Sequence, residues 1–264
     1  MTSSGYVALS AVRREWRRVW TPPYEAPLVV LVNGLLMTGA WFLLPPDWFF
    51  RVHTAWAFPL VLAVWMLADV PATNVLGSDP SRMAAALDRP KELRRLLVAK
   101  NVVLWLLVVP VCAVVTVVDS AATQASAVTT TVSLGALVLL PPATLGIAAW
   151  LGILWPYHPM ALALRWQERR RFRPIIARWA TLVLLPYVVV PTIAGLIYAP
   201  VALLWYVHSG NFWSTPSESE LVALLASGTL MAVLAWAGGH AVAVRLAGRR
   251  VAGLRAYLGD ELAG

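Results

Sequence analysis

Six apolar runs of roughly 18 to 28 residues, each almost free of charge, leave this chain few folds to choose from. About 20 apolar residues cross the hydrocarbon core of a bilayer as a helix, and a helix satisfies its backbone N–H and C=O groups internally, which lipid cannot do for it. The runs are 26–44, 54–76, 96–118, 128–155, 180–207 and 221–244. A barrel strand alternates over about 10 residues, whereas Leu104-Trp105-Leu106-Leu107-Val108-Val109 does not alternate at all. The expected fold is an all-α membrane protein, with one domain over 1–264 containing six transmembrane helices. Composition agrees: 13% of residues are charged and mean hydropathy is +0.70, against about 25% charged in soluble domains.

Positive charge sets the orientation, because Lys and Arg are retained on the cytoplasmic side during insertion. Of the 21 Lys and Arg, only Arg51 falls on one side of the runs. The other side holds Arg13, Arg14, Arg17 and Arg18; Arg82, Arg89, Lys91, Arg94, Arg95 and Lys100; Arg165, Arg169, Arg170, Arg171, Arg173 and Arg178; and Arg245, Arg249, Arg250 and Arg255. Both termini are therefore expected in the cytoplasm, with the chain multi-pass in a bacterial inner (plasma) membrane. The net charge of +8 follows from this basic inner face. Anionic lipid suffices as its counter-charge, and no nucleic-acid partner is needed. The N-terminus lacks the short apolar core and small-residue site of a cleaved signal peptide. Cys112, alone and inside the third run, is expected to pack in the core.

Four segments are neither span nor plain loop. Residues 7–20 combine Val12, Trp16, Val19 and Trp20 with four arginines, as expected of an amphipathic helix in the membrane interface, which Pro22, Pro23 and Pro27 then break. Asp79 followed by Pro80 reads as a helix start, and Asp88 or Arg89 followed by Pro90 as the next one. The intervening 80–88 should be a separate short helix, with Met83 and Leu87 on one face. The segment 158–174, with Leu162, Trp166 and Arg169 to Arg171, reads as a basic lipid-facing loop. The helically spaced Val251, Leu254, Leu258 and Leu262 either prolong the sixth span or lie on the membrane.

Ionisable groups inside spans are costly and mark function by default. Asp69, late in the second span, is placed to pair with Lys100 or to cap backbone near Pro71. His240, between Gly239 and Ala241, is placed to hydrogen-bond a neighbouring helix or reach the interface. The four histidines are scattered, so no metal site is expected, and neither Gly-x-Ser-x-Gly nor His-Glu-x-x-His occurs. The only lysines follow Pro90 and Ala99, so the chain has no P-loop. It is not expected to be an enzyme. Pro59, Pro110, Pro141, Pro142, Pro186, Pro191 and Pro200 are expected to kink their spans.

Asn74-Val75-Leu76-Gly77-Ser78-Asp79, Leu87-Asp88-Arg89-Pro90 and Arg94-Arg95-Leu96-Leu97-Val98-Ala99-Lys100-Asn101 together resemble the first cytoplasmic loop of ABC-2-type transporter permeases. Leu76 stands where that family has an aromatic residue, and Ala99 where it has a second glycine. Gly152-Ile153-Leu154-Trp155-Pro156-Tyr157 is similar to the family pattern after the fourth span. The resemblance implies the transmembrane subunit of a bacterial ABC exporter. It implies a second copy or a paralogous permease beside it, and a separate ATP-binding subunit that holds ATP and Mg, with no cofactor in this chain. It further implies that 79–92 is the coupling helix, with Asp79, Arg82, Met83, Leu87, Asp88, Arg89 and Glu92 docking the ATPase subunit. The few charges in the spans point to an apolar or amphiphilic, lipid-like substrate. The competing readings are an ion- or proton-coupled secondary carrier that uses Asp69, and a non-transporting membrane scaffold. The outer loop 208–220 is too short for the large re-entrant half-helices of that family.

Overall fold

The computed structural model describes residues 3–22, 24–43, 57–68, 70–156, 173–211 and 216–259. Every regular element among them is a helix: α1 Ser3–Val19, α2 Glu25–Leu43, α3 Ala57–Leu67, α4 Val70–Thr73, α5 Pro80–Ala86, α6 Pro90–Ala122, α7 Ala127–Leu139, α8 Pro142–Leu154, α9 Arg173–Ser209, α10 Glu218–Arg249 and α11 Val251–Gly259. Among the described residues, four stretches are long and apolar enough to cross a membrane: Pro90–Ala122, Ala127–Leu154, Leu184–Ser209 and Glu218–Arg249. Ala26–Trp41 and Phe58–Leu67 are shorter apolar helices. The chain is an α-helical membrane protein.

Prolines explain where the helices depart from the apolar runs. The second run ends its first helix at Leu67, because Pro71 has no N–H to offer the Leu67 carbonyl four residues back. The fourth run divides into α7 and α8 at Leu140–Pro141, where two successive prolines remove two successive backbone bonds. Pro142 leaves the Val138 carbonyl without its helical donor, and the Trp105 indole N–H supplies one at 3.0 Å. At the break, the Leu140 carbonyl accepts from the Ala143 N–H at 3.1 Å and from the Tyr198 hydroxyl at 3.0 Å. A carbonyl freed at membrane depth, as at Val138, needs such a partner from a neighbouring helix. By contrast, α6 runs unbroken through Pro110, and α9 through Pro186, Pro191 and Pro200.

The α7–α8 pair occupies the middle of the bundle, with 67% of its apolar window buried, whereas those of α9 and α10 are 11% buried. Lipid offers no hydrophobic drive for helix association, so tight contact depends on small residues. A Cβ on Gly146 of α8 would stand 2.6 Å from the Ala235 carbonyl oxygen of α10, and one on Gly239 would collide with the Gly146 backbone. Only glycine at both positions permits this crossing. Gly152 lies in the same way against the Thr73 carbonyl of α4. Around these contacts, Leu62, Met66, Leu104, Val108, Cys112 and Leu145 form one core cluster.

The end of the chain departs from both expectations for its apolar stripe. The sixth run's helix stops at Arg249, and α11 folds back onto α5, where Leu254 and Leu258 are buried with Met83, Ala86 and Leu87. The Arg250 guanidinium fixes the turn by donating to the Ile153 and Leu154 carbonyls at the end of α8, each at 2.9 Å. Asp69, most of the segment 158–174 (including Leu162, Trp166 and Arg169 to Arg171) and Leu262 lie outside the described residues.

Candidate functional site

The segment between α4 and α6 is built as a separate part. Asn74 Oδ1 accepts from the backbone N–H of Gly77 at 3.1 Å, closing a tight turn after α4. Pro80 then occupies the first turn of α5, where its missing N–H costs nothing. Asp79 stands at the N-cap position, yet its carboxylate makes no capping bond. Two guanidiniums have claimed it: Arg18 at 3.2 Å and Arg82 at 3.8 Å. Pro90 starts α6 in the same manner, and Arg89 at its N-cap pairs with Glu92 at 3.0 Å.

Beneath α5 lies a buried charge cluster centred on Glu15 of α1. Glu15 Oε1 accepts from Lys100 Nζ at 3.0 Å and from Arg18 Nη1 at 3.4 Å, while Oε2 accepts from Arg82 Nη1 at 3.3 Å. Lys100 Nζ also donates to Ser78 Oγ at 2.9 Å, and Arg18 Nη2 donates to the Ser78 carbonyl. The side chains of Glu15 and Lys100 are each only 6% exposed. Three cations thus share two carboxylates, and α1, the 74–79 turn, α5 and α6 are joined at one point. A desolvated ion costs several kcal/mol unless its partners are well placed, so losing one member leaves the others uncompensated.

On its opposite side α5 is held by α11. Arg255 pairs with Asp88, and Leu254 and Leu258 cover Met83 and Leu87, whose exposures are 0% and 2%. This changes the docking expectation for two residues: Met83 and Leu87 turn inward because an apolar face so placed is buried by the chain's own α11. Asp88, Arg89 and Glu92 reach the surface, Asp79 and Arg82 serve the buried cluster, and Ser81 and Ala85 are exposed along α5.

Lys100 therefore belongs to the same construction as the 79–92 segment, and its described partners are Glu15 and Ser78. His240 belongs to another. Its Nδ1 lies 2.7 Å from the Trp236 carbonyl and its Nε2 lies 3.0 Å from Asn101 Nδ2, which also donates to the Leu145 carbonyl at 3.0 Å. Both Asn101 amide hydrogens are then used, one on the Leu145 carbonyl and one on the imidazole. Asn101 Oδ1 has no hydrogen-bond partner. This network pins α6 and α10 to α8 beside the Gly146–Gly239 crossing.

Sequence reading missed Glu15, which sits among four arginines and reads as part of a basic anchor. Its signal was positional: Ala11, Glu15 and Arg18 share one helix face, and Ala11 is buried with Glu15. Among the described residues, no group of three His, Cys, Asp or Glu side chains converges at metal-binding distance. The geometry suits mechanical work, since a short helix gripped from two sides moves only with the helices that grip it. Comparison with protein-family models, with curated proteins and with solved structures finds no match to this chain.

Proposed function

We propose that this chain is the membrane-spanning permease subunit of an ATP-driven ABC exporter of apolar or amphiphilic compounds. It spans the inner membrane six times with both termini in the cytoplasm, works beside a second copy or a paralogue, and is energised by a separate subunit that binds ATP and Mg. The reading is carried by the mounting of α5: a seven-residue helix tied by buried charge to α1 and α6 and by apolar contact to α11. An idle connecting loop has no need to bury ions at this cost. Asp88, Arg89 and Glu92 would meet the ATPase subunit, while Met83 and Leu87 would anchor the segment from within.

The charge asymmetry supports the topology, and the apolar outward surfaces of α9 and α10 suit lipid or a second permease. The two shorter helices α2 and α3 begin the first two of the six spans.

Purification in mild detergent tests the reading. A P-loop ATPase should copurify, be released by Arg89→Glu with Asp88→Lys, and drive vanadate-sensitive efflux of a lipophilic dye from proteoliposomes. Repeated purification of the chain alone, or flux that follows a proton gradient without ATP, would overturn it.

A further inference from the structure

Helix α1 has three sides of different chemistry. At about 100° per residue, Ala11, Glu15 and Arg18 fall on the side that packs against α6 and the 74–79 turn. Leu9, Val12, Trp16 and Val19 fall on the next side, with Trp20 just beyond the helix end. Leu9, Trp16 and Trp20 are 59%, 36% and 49% exposed, and the two indoles pack edge to face at 5.8 Å. Arg13, Arg14 and Arg17 form the third side; all three are exposed, and none pairs with a carboxylate among the described residues. Their neighbour Arg18, on the protein side, has two such partners.

We propose that α1 binds anionic phospholipid, its aromatic side seated at the acyl boundary and Arg13, Arg14 and Arg17 on the headgroup phosphates, and that this contact sets the position of α5 through Glu15. Aliphatic and indole side chains beside unneutralised guanidiniums match the two chemistries of a lipid surface in the order a lipid presents them. A zwitterionic leaflet offers the same phosphates but no net negative charge to hold the three arginines. Each basic residue at an anionic leaflet contributes a factor of about five, so three give roughly a hundredfold preference. The protein-facing side transmits the contact, because Glu15 accepts from both Arg82 of α5 and Lys100 of α6. Lipid binding of this kind requires neither an ATPase nor transport, so it stands apart from the permease reading.

The test uses the full chain in neutral detergent, offered phosphatidylglycerol or phosphatidylcholine of the same acyl chains, with bound lipid counted by native mass spectrometry. The wild type should prefer phosphatidylglycerol, and Arg13→Gln/Arg14→Gln/Arg17→Gln should lower that preference at least tenfold. Arg13→Lys/Arg14→Lys/Arg17→Lys, which keeps the charge, should retain it. So should Arg94→Gln/Arg95→Gln/Arg249→Gln, which removes as much charge away from α1. Hydrogen exchange supplies the second readout: phosphatidylglycerol should protect residues 74–87 in the wild type, and Glu15→Gln should abolish that protection while leaving lipid binding intact. No preference in the wild type, equal loss in both glutamine triples, or protection that survives Glu15→Gln would overturn the proposal. Circular dichroism at the temperature of each measurement confirms that every variant is folded there, including Glu15→Gln, whose melting temperature should be lower.

Discussion

Replacing Glu15 by glutamine removes one negative charge and almost no volume, and strands Lys100 in a pocket where it is 6% exposed. Taking away one member of a buried ion pair costs about 3–5 kcal/mol, mostly as the uncompensated charge of the other. The lower end applies here, since Lys100 keeps Ser78 Oγ at 2.9 Å and the new amide oxygen still accepts. Arg82 and Arg18, 26% and 36% exposed, recover hydration and add little. Glu15→Gln should therefore cost about 3 kcal/mol, and Lys100→Met less, about 2 kcal/mol, because the Glu15 carboxylate keeps Arg82 at 3.3 Å and Arg18 at 3.4 Å. The double variant removes both charges together, so its loss should be well below the sum, with a coupling of about 2–3 kcal/mol. The assay is reversible unfolding in mixed micelles followed by far-ultraviolet circular dichroism. Additivity within about 0.5 kcal/mol, or single losses below about 1 kcal/mol, would show that the cluster is not desolvated and would refute the reasoning.

Other positions give independent checks. Gly146→Ala and Gly239→Ala should each force α8 and α10 apart and lower stability by about 1–3 kcal/mol in the same unfolding assay, while Gly195→Ala, with nothing within 4 Å of the new Cβ, should be neutral or slightly stabilising. Trp105→Phe should cost about 1–3 kcal/mol, because the Val138 carbonyl loses its donor; Trp105→Tyr should not restore the loss, since the phenol is set differently from the indole N–H. Leu258→Ala should loosen α11 and cost about 2–4 kcal/mol, and should raise maleimide labelling of a Met83→Cys reporter that is shielded in the parent.

The parts of this fold that were legible in the sequence are those set by neighbours along the chain. Lipid demands long apolar helices, and Pro80 and Pro90 start α5 and α6 where their chemistry predicts. What escaped was tertiary. Glu15 and Lys100 are 85 residues apart, and nothing local distinguishes a carboxylate that will be buried from one that balances nearby arginines. The stripe in α11 displayed its periodicity but not its destination, because Leu254 and Leu258 suit lipid as well as they suit Met83 and Leu87. The prolines teach the same lesson: a single one at Pro110 leaves α6 whole, while the adjacent pair at Pro141 and Pro142 breaks the fourth run. All were expected to kink. Number alone does not decide which of them interrupts a helix, since the single Pro71 already ends α3 at Leu67.

Helix α6 continues from Pro90 to Ala122 without a break, a length of about 50 Å against a hydrocarbon core of about 30 Å. Lys100 divides it unequally, leaving about 15 Å toward Pro90 and about 33 Å toward Ala122. A tilt of α6 about its buried ammonium would therefore act on arms of unequal length. A sideways displacement of about 2 Å at Pro90 would correspond to about 4 Å in the opposite sense at Ala122, so the placement of one charge along a helix would set both the gain and the direction of such a tilt.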